Sequence, residues 1–119
     1  MRFAIATILF LLFYGSGFSQ TEQDSLRQVI NSNRPYEQQI NAAIKLVESY
    51  QLKNFDSTII EGDKALRLAR KNTDSIAVAQ LKRHIGVANY FSGKYDVAAK
   101  YLQEAIAILE KDKRNRSKL

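Results

Sequence analysis

The apolar positions of this chain follow a helical period almost from end to end. Between residues 36 and 51, Ile40, Ala43, Ile44 and Val47 recur at steps of three and four, which gathers them on one side of a helix. Residues 55–71 do the same with Phe55, Ile59, Ala65, Leu66 and Ala69, and residues 74–92 with Val78, Leu81, Ile85 and Ala88. Residues 95–111 carry the stripe Tyr95, Ala98, Ala99, Leu102, Ala105, Ile106 and Leu109. A shorter helix is predicted in "TEQDSLRQVINS", where Leu26, Val29 and Ile30 form a narrow stripe, Thr21 offers an N-cap and Asp24 follows three residues later. The breaks carry turn chemistry: "NSNRP", with Pro35 where a first helical turn accepts it; "LKN"; "KNTDS", where Thr73 can cap the following helix; and Gly93, at a position that favours left-handed backbone. No segment alternates polar and apolar residues over a strand's length, so the fold class expected is all-α.

The two long pairs of helices repeat each other. At an offset of 40, Phe55-Asp56 falls on Tyr95-Asp96, Ile59 on Ala99, Ala65 on Ala105 and Leu66 on Ile106. For the first helix of each pair an offset of 41 aligns Ile40, Ile44 and Val47 with Leu81, Ile85 and Ala88. Helix–turn–helix units at this period stack as a solenoid. The expected architecture is an antiparallel helix-hairpin solenoid of about two repeats, residues 36–72 and 74–111, preceded by an N-terminal packing helix.

The segment "GVANYFSGKYDVAAKYLQEAIAI", residues 86–108, resembles a tetratricopeptide repeat. The pattern runs through Ile85, Gly86, Gly93, Tyr95, Ala98, Leu102 and Ala105. Gly86 and Ala98 are small enough for close helix approach, and Tyr95 is expected to plug the hairpin corner. The chain departs from the family at Lys82, where a tryptophan is usual, at Asn89, where a tyrosine is usual, and at Glu110, where a proline is usual. The first repeat departs further, with Thr58 at the alanine position and Gly62 inside its second helix. The resemblance covers residues 36–111. It implies a protein-binding module that takes a protein or peptide partner on its concave face, the surface lined by the first helix of each hairpin. It also implies similarity to the exported front segments of bacterial envelope sensors and regulators.

The N-terminus differs in kind from the rest. Arg2 precedes an uncharged apolar run from Phe3 to Tyr14, and Gly17 and Ser19 occupy the −3 and −1 positions of a cut before Gln20. This is the layout of a secretory signal over residues 1–19. The run would rise only ~18 Å as a helix, short of a ~30 Å hydrocarbon core, so cleavage is expected rather than retention as an anchor. The destination is then periplasmic or extracellular. The chain has no cysteine, so packing alone must hold the exported domain together.

Charge narrows the picture little. Half of the net charge of +6 lies in "EKDKRNRSKL", residues 110–119, with five basic and two acidic side chains. Residues 112–119 read as a basic tail suited to a helix C-terminus. No aromatic-basic platform accompanies the charge, so nucleic acid is not an expected partner. Membrane contact is expected only through an uncleaved signal or this tail.

Reactive chemistry is sparse. His84 is the one histidine. Its neighbours on its own helix, Gln80, Leu81, Val87 and Ala88, include no orienting carboxylate and no second ligand. Glu61 and Asp63 flank Gly62 and point to different sides of a helix. Ser16, Ser19 and Ser25 have no nucleophile-elbow context. No catalytic residue, cofactor site or metal site is assigned, and the chain reads as a non-enzyme.

What remains is surface. On the helix at 74–92, Gln80, Arg83, Val87 and Tyr90 cluster opposite the core stripe, and in the repeat resemblance they lie on the concave face. The offset of 41 assigns Gln39, Ala42, Leu46 and Ser49 the same role in the first repeat. On the last helix, Tyr95, Ala98, Leu102, Ala105 and Leu109 are expected to pack back on the repeat. Val97, Tyr101 and Ile108, interrupted by Glu104, form a second stripe expected to stay uncovered and to mediate self-association. A self-associating structural repeat protein is therefore the alternative to a partner-binding module.

Overall fold

The computed structural model describes residues 19–118; residues 1–18 of the signal-like segment fall outside them. Five helices follow in chain order: α1 (Gln20–Ile30), α2 (Tyr36–Tyr50), α3 (Phe55–Lys71), α4 (Ser75–Phe91) and α5 (Tyr95–Ser117). Each packs on its neighbour in sequence, and α2 also touches α4. The result is an elongated stack of 66 × 37 × 27 Å. The described residues contain no strand, and the antiparallel helix-hairpin solenoid is the architecture observed.

Local chemistry sets most helix ends. The Asn54 side chain accepts a hydrogen bond from the Ser57 amide at 3.0 Å, and Asp74 accepts one from the Ala77 amide at 3.1 Å. Thr73 is not the cap of α4. It ends α3 in left-handed backbone, φ 52°, while the Asp74 amide reaches back to the Ala69 carbonyl at 3.0 Å. Gly93, φ 82°, does the same at the end of α4, with the Lys94 amide bonded to the Asn89 carbonyl at 2.9 Å; these are Schellman-type endings. For α1 the N-cap is Ser19, whose hydroxyl accepts from the Glu22 amide at 3.2 Å, two residues ahead of the expected Thr21. The last helix runs through Ser117, so most of the predicted basic tail is helical. Lys111, Lys113, Arg114 and Arg116 belong to its final turns, where cations favour the carbonyl end.

The core joins Ile40, Ala43 and Val47 of α2, Ala65, Leu66 and Ala69 of α3, and Ala77, Leu81 and Ile85 of α4. Its small residues permit close approach. A Cβ on Gly62 would lie 2.7 Å from Ile85 Cγ1, and one on Gly86 would lie 2.9 Å from Leu102 Cγ. Thr58, fully buried at the alanine position, satisfies its hydroxyl on the Asn54 carbonyl at 2.9 Å. The two departures on α4 are also satisfied. Asn89 donates to the Ile85 carbonyl at 2.8 Å, and Lys82 pairs with Glu104 of α5. The hydrogen bond from Lys82 holds the Glu104 carboxyl below its ordinary range.

The repeat register differs from the one read off the sequence. Burial aligns α2 with α4 at an offset of 39: Ala42, Ala43, Leu46, Val47 and Ser49 correspond to Leu81, Lys82, Ile85, Gly86 and Ala88, all buried. The first hairpin is therefore one residue shorter than the second, where an offset of 41 required it to be longer. Two residues of register amount to ~200° of rotation about a helix, enough to exchange its inner and outer faces.

Candidate partner-binding face

Three sides of α4 are occupied. Leu81 and Ile85 pack in the core with α3, Gly86 lies against Leu102 and Tyr101 of α5, and His84 faces the end of α2. The fourth side is open. Ile76, Gln80, Arg83 and Tyr90 are exposed there, with Val87 half-buried among them. Gln80, Arg83, Val87 and Tyr90 thus lie along one side of the helix.

Leu46 and Ser49 do not extend it. They are 1% and 4% exposed, and α1 lies over them. The Ser49 hydroxyl donates to the Leu46 carbonyl at 2.6 Å and accepts from Gln23 of α1 at 3.0 Å. Gln39 donates to the Ile30 and Ser32 carbonyls at 3.3 and 2.7 Å, and Ala42 is buried. At the offset of 39 the counterparts of Gln80, Arg83 and Val87 are Asn41, Ile44 and Glu48, of which Asn41 and Glu48 are exposed. Sequence reasoning missed them because the slip between hairpins leaves no composition signal; only alignment by burial reveals it.

His84 has partners after all, supplied by the preceding hairpin. Its Nδ1 lies 2.8 Å from Gln51 Oε1, and its Nε2 lies 3.8 Å from the Glu48 carboxylate. Burial, aided by the Arg83 charge, lowers the imidazole pKa, and Glu48 opposes the shift. A second tie joins the same helices: Tyr36 donates to the Asp74 carboxylate at 2.7 Å, and burial followed by this bond raises the phenol pKa. These contacts fix the angle between α2 and α4, and with it the shape of the open face.

Other clusters are internally engaged. Glu61 lies 3.9 Å from Arg27 and 3.7 Å from Lys64 at the rim of a cleft of about 250 Å³ between α1, α2 and α3. It does not form a facing pair with Asp63. Among the described residues no three His, Cys, Asp or Glu side chains could hold a metal ion, and no helix is long and apolar enough to cross a membrane.

The faces of α5 are rearranged relative to expectation. Of the stripe expected to pack inward, Ala98 and Ala105 are buried, whereas Tyr95 and Leu109 are 62% and 42% exposed. Tyr95 does not plug the corner; its ring meets Tyr90 edge-on at 5.3 Å. Of the stripe expected to be free, Tyr101 packs against the core and Ile108 is half-buried, leaving Val97 exposed. The uncovered apolar line instead follows Tyr95, Ala99, Ile106 and Leu109, with Leu102 half-buried at its centre.

The tetratricopeptide repeat family model matches residues 38–111, the span of both hairpins. No curated protein and no solved structure matches the chain.

Proposed function

For a chain that belongs to the tetratricopeptide repeat family, a family of non-enzymatic repeats that mediate protein–protein interaction, we propose that the work of this chain is to bind a protein or peptide along the open face of α4. The observation that carries the reading is the alignment of Gln80, Arg83, Val87 and Tyr90 along one side of a helix buried on its other sides. Arginine and tyrosine are residue types enriched at binding hot spots. Asn41 and Glu48 widen the surface toward α2.

We further propose export, from the apolar run Phe3–Tyr14 and the Gly17/Ser19 cleavage pattern, and a role as the sensory front of a larger envelope protein. N-terminal sequencing of the protein from the envelope fraction should begin at Gln20; a retained Met1 in membrane would reverse the export reading to an anchor. For the binding face, partners crosslinked to the chain in the envelope fraction should be lost on Arg83→Ala or Tyr90→Ala. Each should weaken a purified complex by ~1–2 kcal/mol or more with little change in melting. Silent Arg83→Ala together with a melted Tyr90→Ala would assign the face to the fold.

A further inference from the structure

We propose that the uncovered face of α5 is a dimer interface, closed by α5 of a second copy running antiparallel. The repeat itself shows what kind of surface this is. One period earlier on α3, Ile59, Gly62, Leu66 and Ala69 occupy the same register, and α4 covers them: Leu66 is 3% exposed and Ala69 is 0%. On α5 the corresponding residues are Ala99, Leu102, Ile106 and Leu109, and Ile106 is 55% exposed. The helix-binding face is repeated, and among the described residues no helix covers it.

The face is self-complementary. Tyr95, Ala99, Leu102, Ile106 and Leu109 are arranged almost symmetrically about Leu102. Antiparallel pairing about a two-fold axis at Leu102 sets Tyr95 opposite Leu109 and the small Ala99 opposite the large Ile106, each contact occurring twice, as an isologous interface requires. The same register brings Lys94 to Glu110 of the other copy at both ends, and it opposes the two helix dipoles. Leu102 also stands where Gly62 opens space for Ile85 on α3, so a helix like α4 could not seat here in the same way.

The area suits such a pair. The exposed fractions of Tyr95, Ile106 and Leu109, applied to side chains of about 200 Å², leave roughly 300 Å² of apolar surface, to which exposed Ala99 and half-buried Leu102 add. A standard partner face of ~800 Å² that is a little over half apolar needs about that much. A reversible dimer with a dissociation constant on the order of micromolar is expected.

The test is analytical ultracentrifugation of the chain as the exporting cell processes it, from low micromolar to hundreds of micromolar. A monomer–dimer equilibrium is expected. Ala99→Glu with Ile106→Glu, both at exposed positions, should weaken it by at least roughly tenfold with unchanged helicity, and Val97→Lys should leave it intact. Because the chain has no cysteine, Ala99→Cys with Ile106→Cys in one chain provides a second reading that does not depend on the glutamate pair. The two positions lie ~10 Å apart along one helix, too far to bridge internally, so mild oxidation should yield a covalent dimer. An unmutated chain that stays monomeric at hundreds of micromolar, a dimer insensitive to the glutamate pair, or disruption by Val97→Lys would overturn the proposal. So would tight binding of a synthetic peptide of residues 74–92 to a monomeric chain, which would assign the face to the helix of a further repeat.

Discussion

Gly62→Ala tests the closest helix contact in the core, because two opposed effects decide its sign. In an exposed helix interior, alanine in place of glycine is worth about 1 kcal/mol of stability. Here the new methyl would lie 2.7 Å from Ile85 Cγ1 and 3.2 Å from Cδ1. Ile85 is fully buried among Leu81, Ala65 and Leu66 and has nowhere to move, so overpacking should cost about 1–3 kcal/mol. The net expectation is a loss of about 1 kcal/mol, or roughly 4–8 °C in melting temperature for a domain of about 100 residues. Ile85→Ala alone should cost about 2–5 kcal/mol through its cavity. Combined, the two changes should cost less than their sum by about 1–2 kcal/mol, since the methyl introduced at position 62 enters the space that Ile85 leaves. Gly86→Ala is the control. Its methyl meets Leu102 at 2.9 and 3.0 Å and Tyr101 Cβ at 3.3 Å; Leu102 is only half-buried and can yield in part, so the loss should be smaller than for Gly62→Ala. Urea denaturation of the four variants, followed by circular dichroism, gives all the values. A Gly62→Ala protein more stable than the parent, or strict additivity with Ile85→Ala, would refute the close packing of α3 on α4.

Two further expectations concern α2 and its contacts. The native state favours neutral His84, so near pH 6.5 it binds fewer protons than the unfolded chain. Its contribution to stability is complete above about pH 6.5, falls as the pH drops through that value, and levels off below the lowered native pKa; melting curves across this range should show the slope, and His84→Gln should flatten it. Leu46→Ala should cost about 2–5 kcal/mol of folding stability, measured by the same denaturation, and a silent Leu46→Ala would return this residue to the open face.

The chain's own sequence determined the helices, their order and the repeat, because these depend on short-range chemistry. The spacing of Ile85, Ala88, Ala98, Leu102 and Ala105 defines helix faces whatever they pack against, and Gly93 marks a left-handed ending whether or not a partner is present. The open side of α4 was legible for the same reason, since Gln80, Arg83, Val87 and Tyr90 belong to one helix and one geometry. Tertiary structure decided everything that compares two helices. A slip of two residues between α2 and α4 turned Leu46 and Ser49 inward beneath α1, and periodicity within each helix is blind to such a slip. His84 shows no partners in sequence because only its own helix can be searched there; Gln51 and Glu48 reach it across the hairpin stack. On α5 the apolar residues on either side of the core look alike in sequence. Only the placement of α3 and α4 covers Tyr101 and leaves Tyr95, Ile106 and Leu109 in water, because burial depends on where the neighbouring helices lie, and no single helix encodes that.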